Sequence, residues 1–308
     1  MRFPWPPGFR ALCRRRASGY HRAIVPPENP APSPANKRVG VAILANDGIY
    51  DWLLPFLESF REHNPSLPTY LIPFDNRMAR TARAARAYDV TLVTDDLAPI
   101  DRLAWHVYPF FFERFRRRLR KFHCLALPLD EVLYIDVDTI ALRDFTPLFG
   151  HVRPGEADFI IASTSPGWVY NEKRQNYPDL ANAVRFSDGF FVTAPRILSR
   201  DRMIEVMRRD RRIFREVRKP KTFAQPVANF TVHRLGLQIA SLTDLMPWAS
   251  TETFYLAEGV SLDPTGPKDK DGKDIFFAHW AGAHDLPTNK VFDGLWHDYA
   301  ARAARRTG

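Results

Sequence analysis

Two aspartates one residue apart, Asp136 and Asp138, close an apolar run of strand length, Val132-Leu-Tyr-Ile135. Alternation along an extended chain points both carboxylates to one side. A single hard divalent cation there can bridge them to phosphate oxygens, because Mg2+ and Mn2+ favour carboxylate ligands. Two acids at a pocket-forming strand end repel each other unless something positive compensates. The plain alternative is a pair of solvated acids at a strand end.

Such a pair needs a frame. Val39-Gly-Val-Ala-Ile-Leu-Ala45 reads as a strand, and Trp52, Leu53, Phe56, Leu57 and Phe60 follow at helical spacing. Pro65 and Pro68 end that helix. Tyr70–Phe74 is a second strand, residues 78–87 a helix, and Val90–Val93 a third strand. An amphipathic stretch with Phe110, Phe111, Phe115, Leu119 and Phe122 leads into Val132–Ile135, the fourth. Later strands are expected at Phe159–Ala162, Phe190–Val192 and Ile275–Phe277. Alternating strands and helices imply an α/β, Rossmann-like, mixed and mostly parallel sheet flanked by helices. Ligands of such sheets sit at the carboxyl ends of the strands, where Asp136 and Asp138 fall.

The stretch Asp130-Glu-Val-Leu-Tyr-Ile-Asp-Val-Asp-Thr-Ile-Ala-Leu-Arg-Asp-Phe145 resembles the DxD region of GT-A glycosyltransferases, and within them the family 8-like nucleotide-diphospho-sugar transferases. The likeness runs across most of 39–290. It implies a GT-A fold, with 39–150 as the nucleotide-binding half and 151–308 as the acceptor-binding half of a single catalytic domain. Ala45-Asn-Asp47-Gly-Ile-Tyr50 looks like the family's D-x-x-Y turn, which implies that Asp47 and Tyr50 hold the base and ribose. Phe276-Phe-Ala-His279-Trp-Ala-Gly282 resembles its H-x-x-G segment, so His279 would complete a metal shell with Asp136 and Asp138. A neutral imidazole is a suitable third ligand for Mn2+, or Mg2+, beside two carboxylates. Gly282, Val137 and Asp136 would then lie along the diphosphate. His284 stands near the place of the family's phosphate-binding lysine. Lys121, in an arginine-rich segment before the fourth strand, is a further diphosphate cation, and a nearby cation stabilises a leaving group as its charge develops. Phe186-Ser-Asp188-Gly-Phe-Phe191 and Ala224-Gln225-Pro-Val-Ala-Asn229 match two more segments in part. Ser187 stands where the family has Asn and Ala224 where it has Asp, leaving Asp188 and Gln225 to act at the reacting centre. UDP as the nucleotide and retention of anomeric configuration are implied by the resemblance alone.

The 308 residues carry a formal charge of +9, of which residues 1–38 supply +7 with eight basic residues against Glu28. The remaining 270 residues are nearly balanced at +2, so the charge does not call for a nucleic-acid surface. That first segment also holds eight of the 26 prolines, which suits a disordered basic tail able to touch anionic lipid through Phe3, Trp5 and Phe9. Cys13 and Cys124 alone make no disulfide framework. With no apolar run near the ~20 residues that span a bilayer, a cytoplasmic protein is expected, at most peripheral to the membrane. The acceptor would be a glycan or lipid. Two rival readings stand beside this one. The first is a haloacid-dehalogenase-type phosphatase with Asp136 as nucleophile. The second is a non-catalytic nucleotide-sugar or polyanion-binding protein.

Overall fold

Apolar runs become strands here where both faces of the chain are covered, as in parallel sheets generally. The computed structural model describes residues 37–165, 167–219, 223–250, 253–282 and 291–307. The expected tail and its lipid contact therefore lie outside the described residues, apart from Lys37 and Arg38. Lys37 bonds Glu131 at 2.6 Å and Arg38 pairs with Asp130 at 3.5 Å, so both are tied to the start of the fourth strand.

In chain order the strands are β1 (Val39–Ala45), β2 (Thr69–Pro73), β3 (Thr91–Leu92), β4 (Glu131–Ile135), β5 (Thr139–Ala141), β6 (Phe159–Ile161), β7 (Phe190–Thr193), β8 (Ile239–Ser241), β9 (Thr253–Phe254), β10 (Ser261–Asp263), β11 (Gly266–Lys268) and β12 (Phe277–His279). Seven of them form the main sheet in the order β3-β2-β1-β4-β7-β6-β8. All its pairings are parallel except those of β7, which runs against both β4 and β6. The sheet is shared across residue 150, because β7 from the second half lies directly beside β4 from the first. A second sheet, β5-β12-β9, holds the strand that follows the two aspartates.

Alternation divides the core. Val41 and Ile43 pack with Leu53, Phe56, Leu57 and Phe60 of the helix Tyr50–His63. Ala42 and Leu44 face the other way, toward Ile100, Leu103 and Val107 of the helix Ala98–Val107 and toward Leu119 and Phe122. A third cluster joins Ile140, Leu142, Ile275 and Trp280 to Phe292, Trp296 and Tyr299 of the helix Val291–Thr307.

Two expectations change. The phenylalanine-rich stretch is not one amphipathic helix. Pro109 cannot donate a backbone hydrogen bond and disfavours helical geometry at Tyr108, so the chain leaves the helix there. It resumes as the short helix Glu113–Arg116 and a 3-10 stretch, Arg117–Ala126. The last expected strand is displaced to Phe277–His279, which pairs with β5 and β9, while the Ile275 amide bonds the Pro267 carbonyl on β11.

Candidate active site

The Asp136–Asp138 segment is where the chain passes from one sheet to the other. The Asp136 amide donates to the Gly189 carbonyl at 2.8 Å, extending the β4–β7 ladder by one bond. The Asp138 carbonyl accepts from the Trp280 amide at 2.8 Å, beside the pairing of His279 with Thr139 on β12 and β5. Asp136 thus belongs to the main sheet and Asp138 to the small one. His279, at the end of β12, sets its Nε2 3.1 Å from Asp138 Oδ1. One ligand atom from each of Asp136, Asp138 and His279 lies within 4.8 Å of the others. The Val137 side chain between the acids is buried in the core.

Lys121 enters from the 3-10 stretch and is 5 % exposed. Its ammonium lies 3.0 Å from Asp136 Oδ1, 3.2 Å from Asp188 Oδ2 and 3.2 Å from the Asp188 carbonyl oxygen. Burial alone would lower its pKa, but the Asp136 and Asp188 charges outweigh it and hold the amine above its ordinary value. Burial pushes the Asp136 carboxyl up, and Asp138 and Asp188 add to it beyond what Lys121 and His279 offset. Asp138 is held below its ordinary value, because His279 outweighs the effect of burial.

The donor set suits a hard or borderline divalent ion, and the space around it is kept open by a glycine. A Cβ built on Gly189 would meet His279 Cε1 at 2.9 Å, closer than real Cβ atoms come, and Asp136 Oδ2 at a tight 3.2 Å. Tyr134, two residues before Asp136 on β4, donates its hydroxyl to Asp136 Oδ1 at 2.7 Å. Neither Gly189 nor Tyr134 was singled out from sequence. The period-two alternation that puts residues 134 and 136 on one face is the signal that points to Tyr134.

The turn after β1 emerges beside this cluster, since Ala42 pairs with Tyr134 and the strands run parallel. There Asp47 Oδ1 accepts from the Arg80 and Thr81 amides at 3.0 and 2.8 Å, so one of its oxygens caps the helix Ala79–Ala87. The Arg80 guanidinium lies 3.9 Å from the centre of the Tyr50 ring. Asp75 follows β2 but is taken up by Arg77 and Arg117. Gly282 adopts φ +74°, a left-handed conformation that favours glycine, three residues after His279. His284 lies outside the described residues. Gln225 is bonded to Ser165 Oγ at 2.8 Å rather than to the carboxylates. Asn229 brackets the Phe186 backbone, accepting from its amide and donating to its carbonyl, both at 2.9 Å. It thereby holds the strand entry that carries Asp188. The structure therefore brings together Asp136, Asp138, Asp188, Lys121 and His279.

No protein-family model matches the chain, and no curated protein matches it in sequence. Solved structures do. The bifunctional glycosyltransferase WbbM aligns with a TM-score of 0.56 at 12 % identity, covering 88 % of this chain and 52 % of WbbM. The glycosyltransferase GlyE of Streptococcus pneumoniae TIGR4 aligns at 0.51 and 14 %, covering 88 % of this chain and 63 % of GlyE. An active-site mutant of LgtC aligns at 0.56 and 15 %, covering 85 % of this chain and 95 % of LgtC. This chain thus spans about half the length of WbbM and under two thirds of GlyE. At such identities the likeness speaks for architecture, and the architecture of this chain is the GT-A glycosyltransferase fold.

Proposed function

We propose that the chain is a metal-dependent glycosyltransferase that takes its sugar from a nucleotide diphosphate, UDP in the first instance. The observation that carries the reading is the meeting of Asp136, Asp138 and His279 at the junction of two sheets, within 4.8 Å, in a GT-A fold. Another solved structure of similar fold is galactosyltransferase LgtC in complex with donor and acceptor sugar analogs, with a TM-score of 0.51. That supports a nucleotide-sugar donor and a glycan acceptor here.

In this reading Asp136, Asp138 and His279 hold Mn2+ or Mg2+. When bound, the ion acts as a Lewis acid toward the departing diphosphate. The protein's own groups do the rest. Lys121 is kept charged by Asp136 and Asp188, so its ammonium adds a fixed positive potential where the leaving group gains charge. Tyr134 fixes the Asp136 carboxylate, and the missing side chain at Gly189 leaves room beside it. The backbone at Val137 and Gly282 borders the diphosphate, a role that the family resemblance alone also gives to His284, while Asp47 and Tyr50 meet the nucleoside. Asp188 and Gln225 lie on the sugar side, where they orient the anomeric carbon toward the acceptor; retention fits the family resemblance. The first half of the chain serves the nucleotide and the second the acceptor. The phosphatase alternative is disfavoured because its nucleophilic strand opens its domain, whereas three strands precede β4 here.

The test is a thermal-shift comparison of UDP, GDP and ADP, and their sugars, each with Mn2+ and with EDTA. Stabilisation by one nucleotide in Mn2+ and its loss in EDTA is expected. Saturation at about 100 times the dissociation constant adds roughly 2.7 kcal/mol. No shift with any nucleotide sinks the proposal.

A further inference from the structure

Beside the 3-10 stretch that carries Lys121, the surface shows features that glycosyl transfer leaves unused. Phe110 is 97 % exposed, Phe112 73 % and Trp105 56 %, within eight residues of chain. Single exposed rings are ordinary; three together form the kind of patch that marks an interaction site. Arginines frame them. Arg116 lies 3.5 Å from the Trp105 ring centre, and Arg114 lies 5.7 Å from that of Phe112. From the facing helix, Arg211–Val217, Arg215 donates to the His106 carbonyl at 3.2 Å, and Arg218 lies 5.3 Å from the Phe111 ring centre.

The acids nearby are committed elsewhere. Glu113 pairs with Arg117, and Asp101 with Arg120. Among the described residues no carboxylate pairs with Arg114, Arg116, Arg118, Arg211, Arg215 or Arg218. The Nε atoms of Arg211 and Arg218 are buried with no hydrogen-bond partner among the described residues. The face therefore combines protruding rings with uncompensated positive charge. Its chemical complement is anionic and apolar at once.

We propose that this face seats the protein on an anionic lipid surface. The outer edges of Phe110, Phe112 and Trp105 enter the boundary between headgroups and acyl chains, and the exposed Arg114, Arg118 and Arg215 pair with lipid phosphates, while Arg116 is buried against Trp105. A nucleic acid would stack its bases on ring faces, but guanidinium groups already lie over Phe112 and Trp105. The surface adjoins the helix Ala224–Arg234 that carries Gln225, through Phe115 stacked on Phe223 at 4.2 Å. A bilayer held there would lie beside that helix. The inference does not depend on the glycosyl-transfer reading.

Co-sedimentation of the full chain with phosphatidylcholine vesicles, with and without phosphatidylglycerol, tests it. Binding is expected only with phosphatidylglycerol, weakening at high salt. Phe110→Ser/Phe112→Ser and Arg114→Glu/Arg118→Glu should each lower the affinity about tenfold or more. Both should melt as the wild type does; if either melts early, Phe110→Ser alone serves, at a position already in water. Absence of binding to anionic vesicles overturns the proposal. So does undiminished binding by both double variants, which would assign the contact to the basic N-terminal segment. Retention on single-stranded RNA with vesicles ignored would assign the face to nucleic acid instead.

Discussion

A buried ammonium and its carboxylates stabilise one another only as a set, and Lys121, Asp136 and Asp188 form such a set. Replacing Lys121 by Met leaves two acids facing each other with no counter-charge. The cost falls below the ~3–5 kcal/mol of a fully buried pair, because the Asp136 side chain is 31 % exposed. Chemical denaturation without metal should show Lys121→Met less stable than wild type, and Mn2+ should recover part of the loss. A variant whose stability is unaffected would mean that Lys121 does not neutralise the cluster. Asp138→Ala removes a ligand whose backbone, not its side chain, secures the small sheet. It should therefore keep the wild-type fold and lose the Mn2+-dependent nucleotide shift; full metal-dependent turnover in this variant would refute the assignment. Gly189→Ala brings a methyl to 2.9 Å from His279 Cε1. Its expected signature is weakened metal binding in calorimetry with nearly unchanged secondary structure.

At the scale of elements, the helix Ala224–Arg234 ties distant segments together through buried polar side chains. His233 accepts from the Tyr170 hydroxyl at Nδ1 and donates from Nε2 to the Val184 carbonyl, both at 2.8 Å, as a neutral ring does. Burial holds its pKa down to about 4, from 6.5. Between those values the unfolded chain binds a proton that the native chain refuses. The His233 contribution is thus constant above pH 6.5 and is lost as pH falls toward 4. The slope from this one group is at most about 1.4 kcal/mol per pH unit. His233→Gln should flatten the acid side of the stability profile, and an unaltered profile would show that the ring titrates normally. Asn229→Ala strands the Phe186 amide and carbonyl, at a cost of about 1–3 kcal/mol. Much of this level was legible beforehand. β1, β2 and β4 were readable because parallel strands covered on both faces become continuous apolar runs, and Asp136 and Asp138 stood out because they end one. The helix Ala98–Val107 was overlooked, and the phenylalanines at 110–122 suggested one helix where the chain forms the short helix Glu113–Arg116 and a 3-10 stretch. Their aromatic spacing could not reveal that Phe110 and Phe112 face water. Gly189 stood in a quoted motif, but its closeness to His279 was not legible, because that residue lies 90 positions further along the chain.

For the molecule as a whole, the third hydrophobic cluster connects the far helix Val291–Thr307 to the candidate site. Trp296 and Trp280 share that cluster and both lie against the Trp52 ring, at 5.7 and 6.1 Å between centres, and Trp280 follows His279. Trp296→Ala should cost about 3–5 kcal/mol in stability and should also weaken Mn2+ binding, since the backbone that aims His279 loses its support. Equal metal affinity in a destabilised but folded variant would show that β12 is held independently of the helix. The two aspartates sit on different sheets, with the Asp136 amide in one ladder and the Asp138 carbonyl in the other. An ion held by both would be a staple across that seam. Hydrogen exchange at the Trp280 and Tyr255 amides, which bond Asp138 and His279, should then quicken when EDTA strips the ion, while exchange along β1 stays slow. Local opening of the small sheet would be the route by which the protein, without unfolding, trades one nucleotide for the next.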